Sequence, residues 1–241
     1  MLASLASNAF ANDLAKNWNA EVSSGYVSEY ADRGTTVAGA QIQSNLTLTN
    51  GGFSTGVTYA RTIGDDRLVY DDEIDINIDY GFELGASTTV NIGADLIHVP
   101  GAGGLFKIGT ADASTVEIYT GVSFDKTFTP SLTAIYDVHL KDFTLEATAA
   151  HSVDISEQSK LVFDVIGGFA AIAGADNNLY LTTGATYSHA FGDNLNAFGG
   201  LYGGLSSERT FTDASFPSGL APVLKTSTTS AWIQIGLSAG F

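Results

Sequence analysis

Glu73-Ile74-Asp75-Ile76-Asn77-Ile78-Asp79-Tyr80-Gly81-Phe82-Glu83-Leu84 places Ile, Ile, Ile, Tyr, Phe and Leu on its even positions and Glu, Asp, Asn, Asp, Gly and Glu on its odd ones. Successive side chains of a strand point to opposite faces, so one face of this segment suits hydrocarbon and the other is acidic. A helix would mix the two sets around its circumference.

The same alternation recurs along the chain. It marks Trp18 to Tyr30, Ala38 to Leu48, Phe53 to Ile63, Thr88 to Leu96, Val116 to Phe124 and Leu132 to Leu140. It continues through Phe143 to Ala149, Leu161 to Ala171, Leu179 to Tyr187, Leu195 to Leu205 and Thr229 to Phe241. Most of these segments approach the roughly 9–11 residues that a tilted strand needs to cross a bilayer. No apolar run reaches the length of about 18 residues expected of a membrane helix, so spanning would have to be done by strands. Strands can cross lipid only as a closed barrel, because an edge would leave backbone polar groups unpaired. The fold expected is an all-β transmembrane antiparallel up-and-down barrel of about twelve strands.

Composition agrees with that reading. Charged residues make up 15% of the chain, and glycine supplies 27 of its 241 residues. A lipid-facing wall excludes charge, while tight turns and a crowded lumen favour glycine. A soluble all-β sandwich would also alternate, but its strands are usually about 5–6 residues long. Trp18, Phe53, Phe82, Phe124, Tyr187 and Phe241 fall near predicted strand ends, where an interfacial aromatic girdle belongs. The net charge of −16 opposes nucleic acid or anionic substrates as partners.

The two ends suggest a bacterial outer-membrane location. Ala9-Phe10-Ala11 has the small-x-small form of a signal-peptidase site after an apolar stretch, so residues 1–11 read as the remnant of an export signal and 12–241 as the barrel. Phe241 closes an alternating strand and reads as the signal to the barrel-assembly machinery. An even strand count puts both termini on the periplasmic side. Asn50-Gly51-Gly52 and Leu84-Gly85-Ala86-Ser87 then read as short periplasmic turns, and Thr62 to Asp72, Val99 to Ser114 and Ser206 to Ser227 as long external links. Lys141-Asp142 is short for an external link, and Trp232 falls on the lumen phase of the last strand, which a bulge would explain.

Ser24-Gly25-Tyr26-Val27-Ser28-Glu29-Tyr30-Ala31-Asp32-Arg33-Gly34 with Gln41, Gly52-Phe53-Ser54-Thr55-Gly56, and Thr129-Pro130-Ser131-Leu132 to Tyr136-Asp137 resemble segments of the TorF-type porin family. The resemblance implies an outer-membrane barrel serving passive diffusion, with lipid and lipopolysaccharide around it and small solutes within.

The lumen phase supplies the main chemical signal. Asp75, Asp79, Glu83, Asp95, Glu117, Asp137, Glu146 and Asp164 are expected to line the pore, with Lys141 the main inward base. Fixed carboxylates in a confined channel attract cations, since Coulomb energies rise as protein replaces water. The same carboxylates would also serve a closed, merely polar interior. A closed structural or adhesive barrel working through its loops is therefore the alternative, with Val99 to Ser114 or Ser206 to Ser227 as the segments that would plug it.

Other motifs carry less. Asp65-Asp66 and Asp71-Asp72-Glu73 flank Arg67 in a loop that could hold a divalent ion, but an EF-hand fails because Tyr80 and Ala86 occupy its Gly and Glu positions. Gly236-Leu237-Ser238-Ala239-Gly240 lacks the helix that a nucleophile elbow requires. His151 and Ser152 are adjacent on a strand and face opposite sides, and His98, His139 and His189 are scattered. Gly199-Gly200 and Gly203-Gly204 read as relief of crowding inside the barrel. No enzyme and no cofactor is expected.

Overall fold

The computed structural model describes residues 18–68, 71–102, 114–215 and 223–241. The export-signal reading of residues 1–11 lies outside them.

The strands are β1 (Asn19–Val27), β2 (Tyr30–Asp32), β3 (Thr35–Ala38), β4 (Gln41–Asn50), β5 (Phe53–Thr62), β6 (Glu73–Glu83), β7 (Thr88–His98) and β8 (Ser114–Phe124). They continue with β9 (Ser131–Asp137), β10 (Phe143–Ser156), β11 (Ser159–Ala171), β12 (Asn178–Ala190), β13 (Leu195–Ser206), β14 (Phe211–Ser215), β15 (Val223–Ser227) and β16 (Thr229–Gly240). Twelve of them form one closed antiparallel barrel, and β2–β3 and β14–β15 are separate hairpins inserted between barrel strands. Closure is made by β1, whose Ser24 pairs with Leu237 of β16 on one side and with Ser44 of β4 on the other. Ala20 and Phe241 exchange backbone hydrogen bonds of 3.0 and 2.8 Å at the seam.

The alternation behaves as expected of a membrane wall. On β6, Ile78 and Tyr80 are about half exposed on the outer surface, and Leu201, Ile235 and Leu237 project outward in the same way. Hydrophobic residues exposed in continuous rows around a closed ring need lipid against them, which places this barrel in a membrane. Trp18 packs edge-on against Phe53 at 5.7 Å near the end that holds Phe241.

The inner surface explains the glycines. Tyr119 stands opposite Gly93, Tyr180 opposite Gly168, Tyr202 opposite Gly184 and Phe198 opposite Gly236 in the strand register. A Cβ at any of these glycines would run into the facing ring. Each of these four aromatics therefore lies down across a neighbour that has no side chain, a cross-strand arrangement that fills the wall without crowding it. Gly200 and Gly204 face inward beneath Tyr202 and Phe211, whereas Gly199 and Gly203 meet nothing closer than 3.5 Å.

Several expected boundaries shift. The segment read as Trp18 to Tyr30 ends at Val27, and Tyr30 begins hairpin β2–β3. The segment from Phe143 runs past Ala149 to Ser156, and that from Leu132 stops at Asp137. Trp232 needs no bulge, because β13 and β16 pair in unbroken register and Trp232 stacks on Tyr202 with centroids 5.8 Å apart and planes at 11°. Replacing outward Ile78 by Arg should cost roughly 2–4 kcal/mol of stability, as charge does at a bilayer midplane. Denaturant titration of the lipid-inserted barrel would measure it, with inward Asp79→Asn as the near-neutral comparison.

Candidate functional site

The lumen acquires its charge pattern from register. Asn77, Asp95, Glu117 and Asp137 are direct cross-strand neighbours on β6, β7, β8 and β9, so three carboxylates follow one another around the wall. Like charges in such positions repel. Asp75 and Glu73 continue the acidic surface along β6 toward the end with the long loops, called the mouth below. Buried Oδ1 atoms of Asp75, Asn77 and Asp95 have no protein partner.

The remaining expected residues occupy more individual settings. Asp79 lies beside Tyr119. Glu146 accepts a 2.5 Å hydrogen bond from Tyr180. Asp164 lies between Ala150 and Gly184, and a Cβ on Gly184 would come within 2.7 Å of its Oδ1. Glu83 is exposed at the far end of β6 from the mouth.

Asp137 serves its own turn. Its Oδ1 accepts from the backbone of His139 (2.8 Å) and Leu140 (2.7 Å) and from Thr115 (2.6 Å), while its carbonyl receives Lys141 N–H. This wrap is how the chain turns in so few residues between β9 and β10. Lys141 is exposed at that turn with a φ of 62°, so it is not the inward base that the strand phase suggests. The turn begins at Asp137, and strand alternation stops there.

Among the described residues, the base that pairs with a lumen carboxylate is Arg33, which the alternation does not reveal. Hairpin β2–β3 leaves the wall after β1 and folds across the lumen, with Arg33 and Gly34 at its tip in left-handed conformation (φ 49° and 74°). The Arg33 guanidinium grips Glu117 of β8 through two bonds of 2.5 and 2.6 Å. β8 lies five strands from β1 around the wall in one direction and seven in the other, so this bond crosses the barrel. Asp32 lies 3.5 Å from Arg33 Nε. Burial works against the Arg33 charge, but the Glu117 hydrogen bonds and the carboxylates of Asp32, Glu117 and Glu146 outweigh it and raise its pKa. Gly34 is required twice over, by its φ and because a Cβ there would collide with Tyr180 Cβ.

The loop carboxylates considered for a metal have protein duties. Asp66 accepts from Ala40 N at 2.9 Å, and Asp72 accepts from Tyr59 at 2.9 Å and from Thr62 N at 3.1 Å. Among the described residues no cluster of three or more His, Asp or Glu side chains could hold a metal ion. His151 Nδ1 contacts Thr127 O at 3.0 Å, while His189 Nδ1 contacts Ser159 at 2.9 Å without a carboxylate hydrogen-bonded to the ring among the described residues. His98 Nδ1 lies 2.8 Å from Ser114 Oγ.

Asp137→Ala should lower stability by roughly 2–3 kcal/mol, because it removes hydrogen bonds to a carboxylate and leaves backbone donors unmet. Thr115→Val, which removes one of those bonds, should cost less in the same urea titration.

No protein-family model matches the sequence, and no curated protein matches it. Solved structures do match in shape. The KdgM porin in complex with disordered oligogalacturonate gives a TM-score of 0.58 at 7% identity, covering 92% of this chain and 99% of that one. The NanC porin gives 0.55 at 11% identity over 91% and 98% of the two chains. The COG4313 outer membrane channel of Pseudomonas putida F1 gives 0.50 at 9% identity over 96% and 100%. The chain thus has the fold of the porin-type barrels of the bacterial outer membrane.

Proposed function

We propose that the barrel is a passive-diffusion channel for small solutes with a preference for cations, and we assign it no catalytic step. The observation that carries this is the run of inward carboxylates on β6, β7 and β8, including buried oxygens with no protein partner. Such oxygens favour a positive occupant, and in a confined lumen the attraction is stronger than in bulk water. The finer kinship proposed is with the TorF-type porins, whose sequence segments this chain resembles. Pore-lining roles for Asp75, Asp79, Glu83, Asp95, Glu117, Asp137, Glu146 and Asp164, recognition of Phe241 by the assembly machinery, and contact of the outer wall with lipopolysaccharide belong to the same proposal.

A second reading has its own support. Hairpin β2–β3 crosses the lumen and hairpin β14–β15 docks on it, with Thr36 N donating to Thr210 O at 3.2 Å and Thr212 N to Thr36 Oγ1 at 2.9 Å. If those hairpins seal the mouth, the barrel is structural or adhesive and acts through its loops.

Single-channel recording in a planar bilayer under a KCl gradient separates the two. Discrete steps with a cation-selective reversal potential are expected, and Asp79→Asn combined with Asp164→Asn should move that potential toward zero. Silence from inserted, folded protein would support the closed barrel instead.

A further inference from the structure

Resting on the channel reading, we propose that hairpin β2–β3 is the constriction that decides which solutes pass, and that Arg33 is the specificity-determining residue because its ion pair with Glu117 holds the hairpin across the lumen. The solutes admitted are small cations.

The anchors are unevenly distributed. Arg33 ties the tip to β8. Asn178 of β12 donates to Arg33 O at 3.2 Å, and Thr210 donates to Gly34 O at 2.5 Å. At the hairpin's root, Glu29 accepts from Thr36 at 2.7 Å and from Ser230 of β16. Among the described residues no hydrogen bond ties the hairpin to β5, β6 or β7. The wall it leaves unbonded bears Glu73, Asp75, Asn77 and Asp95, including the three oxygens without a protein partner. The hairpin contributes Asp32 to the same neighbourhood, and the Asp32 carboxylate bears electrostatically on Glu73, Asp75 and Asp95. An acidic flank of the hairpin therefore faces an acidic wall whose unpartnered oxygens are buried. Arg33, whose charge would oppose cations, is turned onto Glu117 and partly neutralised.

The tip depends on this ion pair more than on its own strands. β2 and β3 are three and four residues long, and their register is broken between Tyr30 and Ala31. Isolated hairpins of this size are marginal in water. Loss of the ion pair should let the tip swing away from β8 and widen the lumen.

Conductance and selectivity together test the proposal in a way that a simple charge effect cannot imitate. If the two residues acted only as fixed charges, Arg33→Gln would raise cation conductance and Glu117→Gln would lower it. A latch predicts that both substitutions raise conductance, by roughly twofold or more, as a constriction opens. Their selectivities should nevertheless diverge: Arg33→Gln more cation-selective, Glu117→Gln less. The swap Arg33→Glu with Glu117→Arg should return conductance toward that of the parent. Unchanged or lower conductance in Glu117→Gln overturns the proposal.

A silent parent would defeat the channel reading without deciding where the hairpin sits. The chain has no cysteine, so nitroxides can be placed at Val37→Cys on the hairpin and Ile118→Cys on the outer face of β8. A narrow distance distribution that broadens when Glu117→Gln is added supports the latch. A distribution already broad in the parent, or one unmoved by Glu117→Gln, overturns it.

Discussion

Every backbone N–H and C=O that lies in lipid must find its partner inside the protein, and the rest of this molecule follows from that demand. The demand is met by a ring of twelve strands in which β1 pairs with both β4 and β16. A closed ring has an inside and an outside, and strand geometry assigns alternate residues to each. Hydrocarbon then selects Ile78, Tyr80, Ile235 and Leu237 for the outside, so polar chemistry has only the lumen and the loops left to occupy.

Confinement shapes that lumen. Aromatic side chains enter it where the opposing residue is glycine, as with Tyr180 over Gly168 and Tyr202 over Gly184. Carboxylates crowd into it because register aligns Asp95, Glu117 and Asp137 on neighbouring strands. The carboxylates meet different surroundings at each position. Asp137 is absorbed by backbone donors of its own turn, Glu117 by Arg33, and Asp95 keeps a buried oxygen free of protein partners. One line of like charges thus contains a turn stabiliser, a latch partner and a free acceptor.

The barrel strands were legible because each is long enough to show period two, and the acidic phase of β6 could be read directly from Glu73 to Glu83. Phase puts Trp232 on the lumen side, which reads as a misfit needing a bulge, and only the unbroken register and its stack on Tyr202 show why an indole is accommodated there. The inserted hairpins were not legible. Three residues of β2 and four of β3 cannot establish a period, and Tyr30 simply continued the alternation of β1. Lys141 failed for a related reason, since phase has no meaning once the chain has begun to turn.

The sequence by itself determined that this chain crosses a membrane as strands, which residues share a face, and that the interior face is acidic. These are local properties, set by the alternation of neighbours a residue or two apart. Tertiary structure alone decided that Arg33 meets Glu117, 84 positions away, and that the first mouth hairpin enters the lumen. Ring closure and hairpin direction bring those two residues together, and neither leaves a periodic trace in the amino-acid order.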